Sequence, residues 1–165
     1  VNKERAMNIF ALHEDPKKAA RMLCDQHVVK MILESAQMMC QAYHDSDLTP
    51  PYKTKGFRNH PCSIWARTTM GNYKWLYDHA KEMCRIYTEA TGKIHKSEAV
   101  LDWCFENSYY LINTEQTPTM TQFALAMPDE FKNYKDTIQS YRDYYKSKDF
   151  SMRYTYNKNP VWRLS

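Results

Sequence analysis

The sequence predicts an all-α fold: a compact single-domain helical bundle with long irregular loops. Three observations predict it. Apolar residues recur at alternating steps of three and four over several long stretches, the spacing of one helix face. Helix start and stop signals bound those stretches, among them Asp15-Pro16 and Gly92. Only 3 of the 165 residues are Gly, which argues against turn-dense all-β designs. The length fits one domain with its own core, and 43% hydrophobic against 25% charged residues excludes wholesale disorder. Residues 1–165 are therefore read as one unit. Residues 1–6 (VNKERA) are an extension or added remnant ahead of Met7, and residues 150–165 form a basic aromatic tail.

The elements follow in order. Residues 7–12, MNIFAL, are a short apolar run expected to be strand-like or extended. Asp15 is an N-cap with Pro16 at the first helical position. Helical patterning then runs to about His44 through Met22, Val29, Ile32, Ala36, Met39 and Tyr43, with a break at Cys24-Asp25. Residues 44–58 are a loop with paired prolines and the cations Lys53, Lys55 and Arg58. Asn59 is expected to cap the next helix, which starts at Pro61, kinks at Met70-Gly71-Asn72 and stops at Gly92. Ser97 and Glu98 open a further helix to about Tyr110. Residues 113–121 are a Thr-rich loop, and Pro128-Asp129 begins a last helical stretch ending near Lys148.

Composition narrows the function. No apolar run is long enough to span a membrane. The first ten residues lack a long apolar stretch and a small-residue cleavage site, so no secretory leader is expected. Five Cys, at 24, 40, 62, 84 and 104, form no CxxC pair, and His60 with Cys62 is the tightest grouping of metal-ligating types. Buried thiols are expected, with no metal and no cofactor. The aromatic count is high, at 13 Tyr, 6 Phe and 4 Trp. Residues 132–165 hold 8 basic and 3 acidic side chains, interleaved with Tyr141, Tyr144, Tyr145, Phe150, Tyr154, Tyr156 and Trp162. Cations neutralise phosphates and aromatic faces stack on unpaired bases, so this stretch reads as a nucleic-acid surface or as a basic helix whose tyrosines face the core.

Two polar clusters carry candidate chemistry. His27, Lys30, Glu34, Gln37 and Gln41, spaced 3, 4, 3 and 4, share one helix face. A carboxylate beside an imidazole and an ammonium suits acid–base work; a solvated face fits the same spacing. TKGFRNHP (54–61) sets Lys55 and Arg58 ahead of a helix N-terminus, where free N–H groups bind anions, with Asn59, His60 and, two turns on, Arg67. Capping by Asn59 with His60 packed on the helix is the alternative.

These residues resemble a known family. Asp25-Gln26-His27 followed seven residues later by Glu34 is similar to the opening helix of pyrimidine-dimer DNA glycosylases of the endonuclease V type, in phage. MNIFALH and TKGFRNHP resemble blocks of bacterial relatives. The resemblance spans residues 7–67. It implies an all-α DNA N-glycosylase acting on damaged or modified pyrimidines, with or without AP-lyase activity, in the cytoplasm of a bacterial or phage-infected cell. Glu34 would be the catalytic carboxylate and His27 a second catalytic residue, with His27 and Gln26 beside the extruded nucleotide. Lys30, Gln37, Lys55, Arg58, Asn59, His60, Arg67 and Trp162 would serve binding. The family's nucleophile is the mature N-terminal α-amine, which attacks the sugar C1′ and leaves a Schiff base; its pKa near 8 leaves a useful neutral fraction at pH 7. The family's mature chain begins with Thr, where this chain has Asn8 after Met7, and the arginines flanking the family's glutamate are replaced by Leu33 and Gln37.

Two other functions fit the same residues. One is a glycosidase acting on a modified or free nucleotide through Glu34 and water, without strand scission. The other is a non-catalytic nucleic-acid-binding module centred on the basic aromatic tail. RNA is an alternative to DNA as partner.

Overall fold

A computed structural model describes residues 7–158. Six α-helices form a bundle: α1 (Pro16–Ala20), α2 (Asp25–Gln41), α3 (Pro61–Thr68), α4 (Met70–Thr91), α5 (Glu98–Glu106) and α6 (Thr137–Ser147). The architecture is all-α, and the described residues include no strand. The bundle is organised around the α2–α4 pair: α5 and α3 pack against both, and α1 packs on α4. The core between them holds Ile32, Met38, Met39, Leu76, Met83 and Leu101.

Local chemistry explains the element ends. The Asp15 carboxylate accepts from the Lys17 and Lys18 N–H groups, and Pro16 supplies the first helical φ. The expected break before α2 is present, with Cys24 in extended conformation as its N-cap. Gly92, at φ 73°, ends α4 in the left-handed conformation that a Cβ disfavours.

Three expectations are corrected. Asn59 is not the cap of α3: it closes a 3₁₀ turn (Phe57–Asn59), and His60 caps instead, its Nδ1 accepting from Cys62 N–H at 3.0 Å. The helix expected from 61 to 91 is two helices. Thr69 is extended and caps α4 through Asn72 N–H, while Met70 and Gly71 donate to the Glu115 and Thr117 carbonyls of the Thr-rich loop. That loop seals on Gly71: a Cβ there would meet the Pro118 and Thr119 carbonyl oxygens, the latter at 2.7 Å. The last helical stretch is also divided, into a 3₁₀ turn (Asp129–Phe131) and α6.

Residues 7–12 are irregular and wholly buried. Asn8 shapes the segment. Its Oδ1 accepts from Phe10 N–H and its Nδ2 donates to Ala126 O, both at 2.8 Å. Phe10 sits at φ 38°, an uncommon value for an aromatic residue, and is held there by ring packing on His27, Tyr141 and Tyr145.

Candidate active site

The polar face of α2 is solvated only in part: Lys30 is exposed and His27 and Gln37 are half-buried, while Glu34 and Gln41 are buried. Glu34 is 6% exposed and Gln41 2% exposed, because the 7–12 segment and the 51–57 loop cover that side of the helix. Burial pushes the Glu34 carboxyl up to about 7. Two neighbours oppose that shift: the Lys30 ammonium, 3.8 Å from Oε2, and the Asn8 backbone N–H, which faces the carboxylate. Oε1 of Glu34 has no hydrogen-bond partner among the described residues. A buried carboxyl with an open oxygen and a pKa near neutrality can exchange a proton or meet a developing positive charge.

His27 is packed rather than free. Its ring stacks on Phe10 at 4.2 Å, and its Nδ1 is 2.7 Å from the Tyr145 hydroxyl. Burial, then the charges of Lys148 and Lys30, lowers its pKa to about 4, so the ring is neutral at pH 7. Gln26 is engaged with the C-terminal segment: its Nε2 donates to Ser151 O and its Oε1 accepts from Arg153 N–H. Asp25 completes that clamp. Its carboxylate accepts from Thr155 N–H, Thr155 Oγ1 and Tyr156 N–H, and its own N–H donates to Arg153 O.

The second cluster lies on α3 and the loop before it. Arg58 pairs with Asp45 at 3.2 Å, yet its Nε is buried without a partner. Arg67 Nη1 is likewise buried and unpaired among the described residues. Burial, then the Arg58 charge, lowers the Arg67 pKa, and Asp45 opposes this. Two neighbouring guanidinium groups that feel each other's charge, each with an unfilled donor among the described residues, are suited to a phosphate. Lys55 and Asn59 are exposed; His60 is occupied in capping, and burial lowers its pKa.

The structure thus gathers Glu34, Lys30 and the Asn8 N–H at one point, and Arg58 with Arg67 at another. Gln37 and Lys55 line a cleft beside the first. Trp162 lies outside the described residues. Of the tail aromatics, Tyr141 and Tyr145 are core, Tyr144, Tyr154 and Tyr156 pack against it, and Phe150 is 93% exposed. All five cysteines are buried thiols. No group of three or more His, Cys, Asp or Glu among the described residues is arranged to hold a metal, and no described helix is long and apolar enough to cross a membrane.

Sequence reasoning placed Gln41 on the Glu34 face but gave no shaping role to Asn8, Asp25 or Tyr145. These three owe their roles to contacts over more than a hundred positions, which no local pattern encodes.

No curated protein and no solved structure matches the chain. The profile of the pyrimidine dimer DNA glycosylase family matches residues 7–98. That is over half of the sequence, and it spans Asn8, Glu34, Lys30 and the Arg58–Arg67 pair. The chain belongs to the pyrimidine dimer DNA glycosylase family.

Proposed function

We propose that the protein cleaves the N-glycosidic bond of damaged pyrimidine nucleotides in DNA with Glu34 as catalytic carboxylate. The observation that carries this is the buried Glu34 with its open Oε1, in a chain whose family acts as DNA glycosylases. Breaking a glycosidic bond leaves positive charge on the sugar, and a carboxylate in a dry site offsets such charge better than one in water. Lys30 keeps part of the Glu34 population ionised at neutral pH. Arg58, Arg67 and Lys55 hold the phosphates, and the neutral His27, wedged by Phe10 and Tyr145, positions the start of α2. The work belongs in the compartment that holds the DNA, the cytoplasm of a bacterial or phage-infected cell.

Lyase activity adds one requirement, an amine at the sugar. The nitrogen of residue 8 faces Glu34. In a chain beginning at Asn8 it would be an α-amine with a pKa near 8, able to attack C1′ as the base departs and to hold the sugar as an imine. In the chain with Met7 attached it is an amide, and water activated by Glu34 takes its place, which gives base release without strand scission. Borohydride trapping on dimer-containing DNA separates the two. A chain trimmed to begin at Asn8 is expected to give a covalent adduct, whereas the extended chain releases base alone. Adduct formation by neither chain, with base release unchanged in Glu34→Gln, refutes the proposal.

A further inference from the structure

Two of the buried thiols touch. Cys40, near the C-terminal end of α2, and Cys104, near the end of α5, bring their sulfurs to 3.5 Å across the contact between the two helices. The backbone around them is tied down. Tyr43 Oη donates to the Cys104 carbonyl at 2.6 Å, and Tyr73 Oη, from α4, donates to the Met39 carbonyl at 2.8 Å. The sulfurs are therefore held within mutual reach rather than meeting by chance. Cys40 stands six residues beyond Glu34, roughly 120° around α2, so neither sulfur takes part in the chemistry proposed for that carboxylate.

The two thiols differ in setting. The Cys104 thiol, as donor, holds the Cys40 thiol below its usual range; burial opposes this and the Tyr52 backbone N–H assists. The hydrogen bond with Cys40, then burial, pushes the Cys104 thiol far up. One sulfur thus leans toward thiolate while its neighbour keeps the proton, the arrangement of an attacking and a resolving cysteine. The remaining thiols are placed otherwise. Burial raises Cys24, whose sulfur accepts from the Tyr145 hydroxyl at 3.3 Å, and pushes Cys62 and Cys84 up to about 12.

We propose that Cys40 and Cys104 form a redox modification site, which a small peroxide closes into a reversible disulfide linking α2 to α5. The Cys40 thiolate attacks one peroxide oxygen, the O–O bond breaks, and hydroxide leaves to take up the proton that Cys40 released. Cys104 sulfur then attacks the sulfenic acid sulfur, and its proton departs with the hydroxyl as water. Two thiols and one peroxide give one disulfide and two waters; the sulfurs are oxidised and the peroxide oxygens reduced. Both cysteines are buried, but Tyr52, whose N–H faces Cys40, is half-buried and lines the clefts on either side of its loop. Displacement of that loop admits a molecule the size of hydrogen peroxide without unfolding the bundle.

The test treats the reduced full chain with hydrogen peroxide, alkylates it in denaturant and maps its peptides by mass spectrometry. The expected product has lost two hydrogen atoms, keeps Cys24, Cys62 and Cys84 alkylated, and carries one linked peptide pair, Cys40 with Cys104. That link forms at least about tenfold faster than any other pairing, and dithiothreitol restores the starting chain. In the urea-unfolded chain the preference disappears, a comparison that needs no variant. In Cys104→Ala, Cys40 stops at a sulfenic acid that dimedone captures. Three results would each overturn the proposal: other pairings at equal rates in the folded chain, irreversible oxidation of Cys40 with Cys104 left free, or full retention of the thiols at peroxide doses that oxidise the unfolded chain.

Discussion

Glu34 is the residue on which stability and function pull apart. Its pKa is raised from the ordinary carboxyl range to about 7 in the folded chain. Between pH 4.5 and 7 the folded state therefore keeps a proton that the unfolded state releases, so the residue costs stability progressively as pH rises through that window and fully above it. Glu34→Gln is expected to stabilise the protein by on the order of 3 kcal/mol at pH 8 and by almost nothing near pH 4, read by denaturant unfolding at the two pH values. His27 and His79 act in the opposite direction. Burial lowers their pKa values to about 4 and about 3, so both are neutral when folded and favour the folded state above pH 6.5. That contribution is lost as pH falls through the window down to those values. Tyr145→Phe removes the partner of the half-buried His27 Nδ1 and is expected to lower stability by about 1–3 kcal/mol. Thermal unfolding checks it.

At the scale of elements, the start of α2 is an anchor for the C-terminal segment. Asp25 and Gln26, part of the triplet that carries the family resemblance, spend their polar atoms on residues 151–156. Asp25→Ala is expected to release that segment, seen as faster amide exchange at Thr155 and Tyr156, at a cost of about 1–3 kcal/mol. The α3–α4 joint gives a sharper test, because a methyl group at residue 71 runs into backbone carbonyls that cannot rotate away. Gly71→Ala should lower stability by about 1–3 kcal/mol and displace the Thr-rich loop. Helix existence and the Asp15 and Gly92 boundaries were legible because caps and stripes are local. The His60 cap was not: Asn is the commoner capping type, and the 3₁₀ turn that retires Asn59 arises from the loop's own hydrogen bonds.

For the molecule as a whole, charge and shape divide the labour. Arg58, Arg67, Lys53, Lys55 and Lys96 lie, like Glu34, within the segment that the family profile matches. The aromatic surplus of residues 141–156 is spent mainly on packing, with Tyr141 and Tyr145 holding Phe10 and His27. DNA binding should therefore weaken steeply with salt, with a log–log slope of about −3 or steeper, since at least three phosphates are neutralised. The candidate carboxylate was legible in the sequence as Asp25-Gln26-His27 seven residues before Glu34. Its environment was not, because the lid over it is residues 7–12, held in place by Ala126 from the far end of the chain.

The central claim is that Glu34 performs the chemistry. Its most direct test is single-turnover base release from DNA carrying a defined pyrimidine dimer, comparing the natural chain with Glu34→Gln across pH 5–9. The account predicts release by the natural chain with an acidic limb near pH 7, and a loss of at least a hundredfold in the variant while DNA binding persists. Equal rates in the two proteins, or a natural chain that binds the lesion and releases no base at any pH, would contradict it.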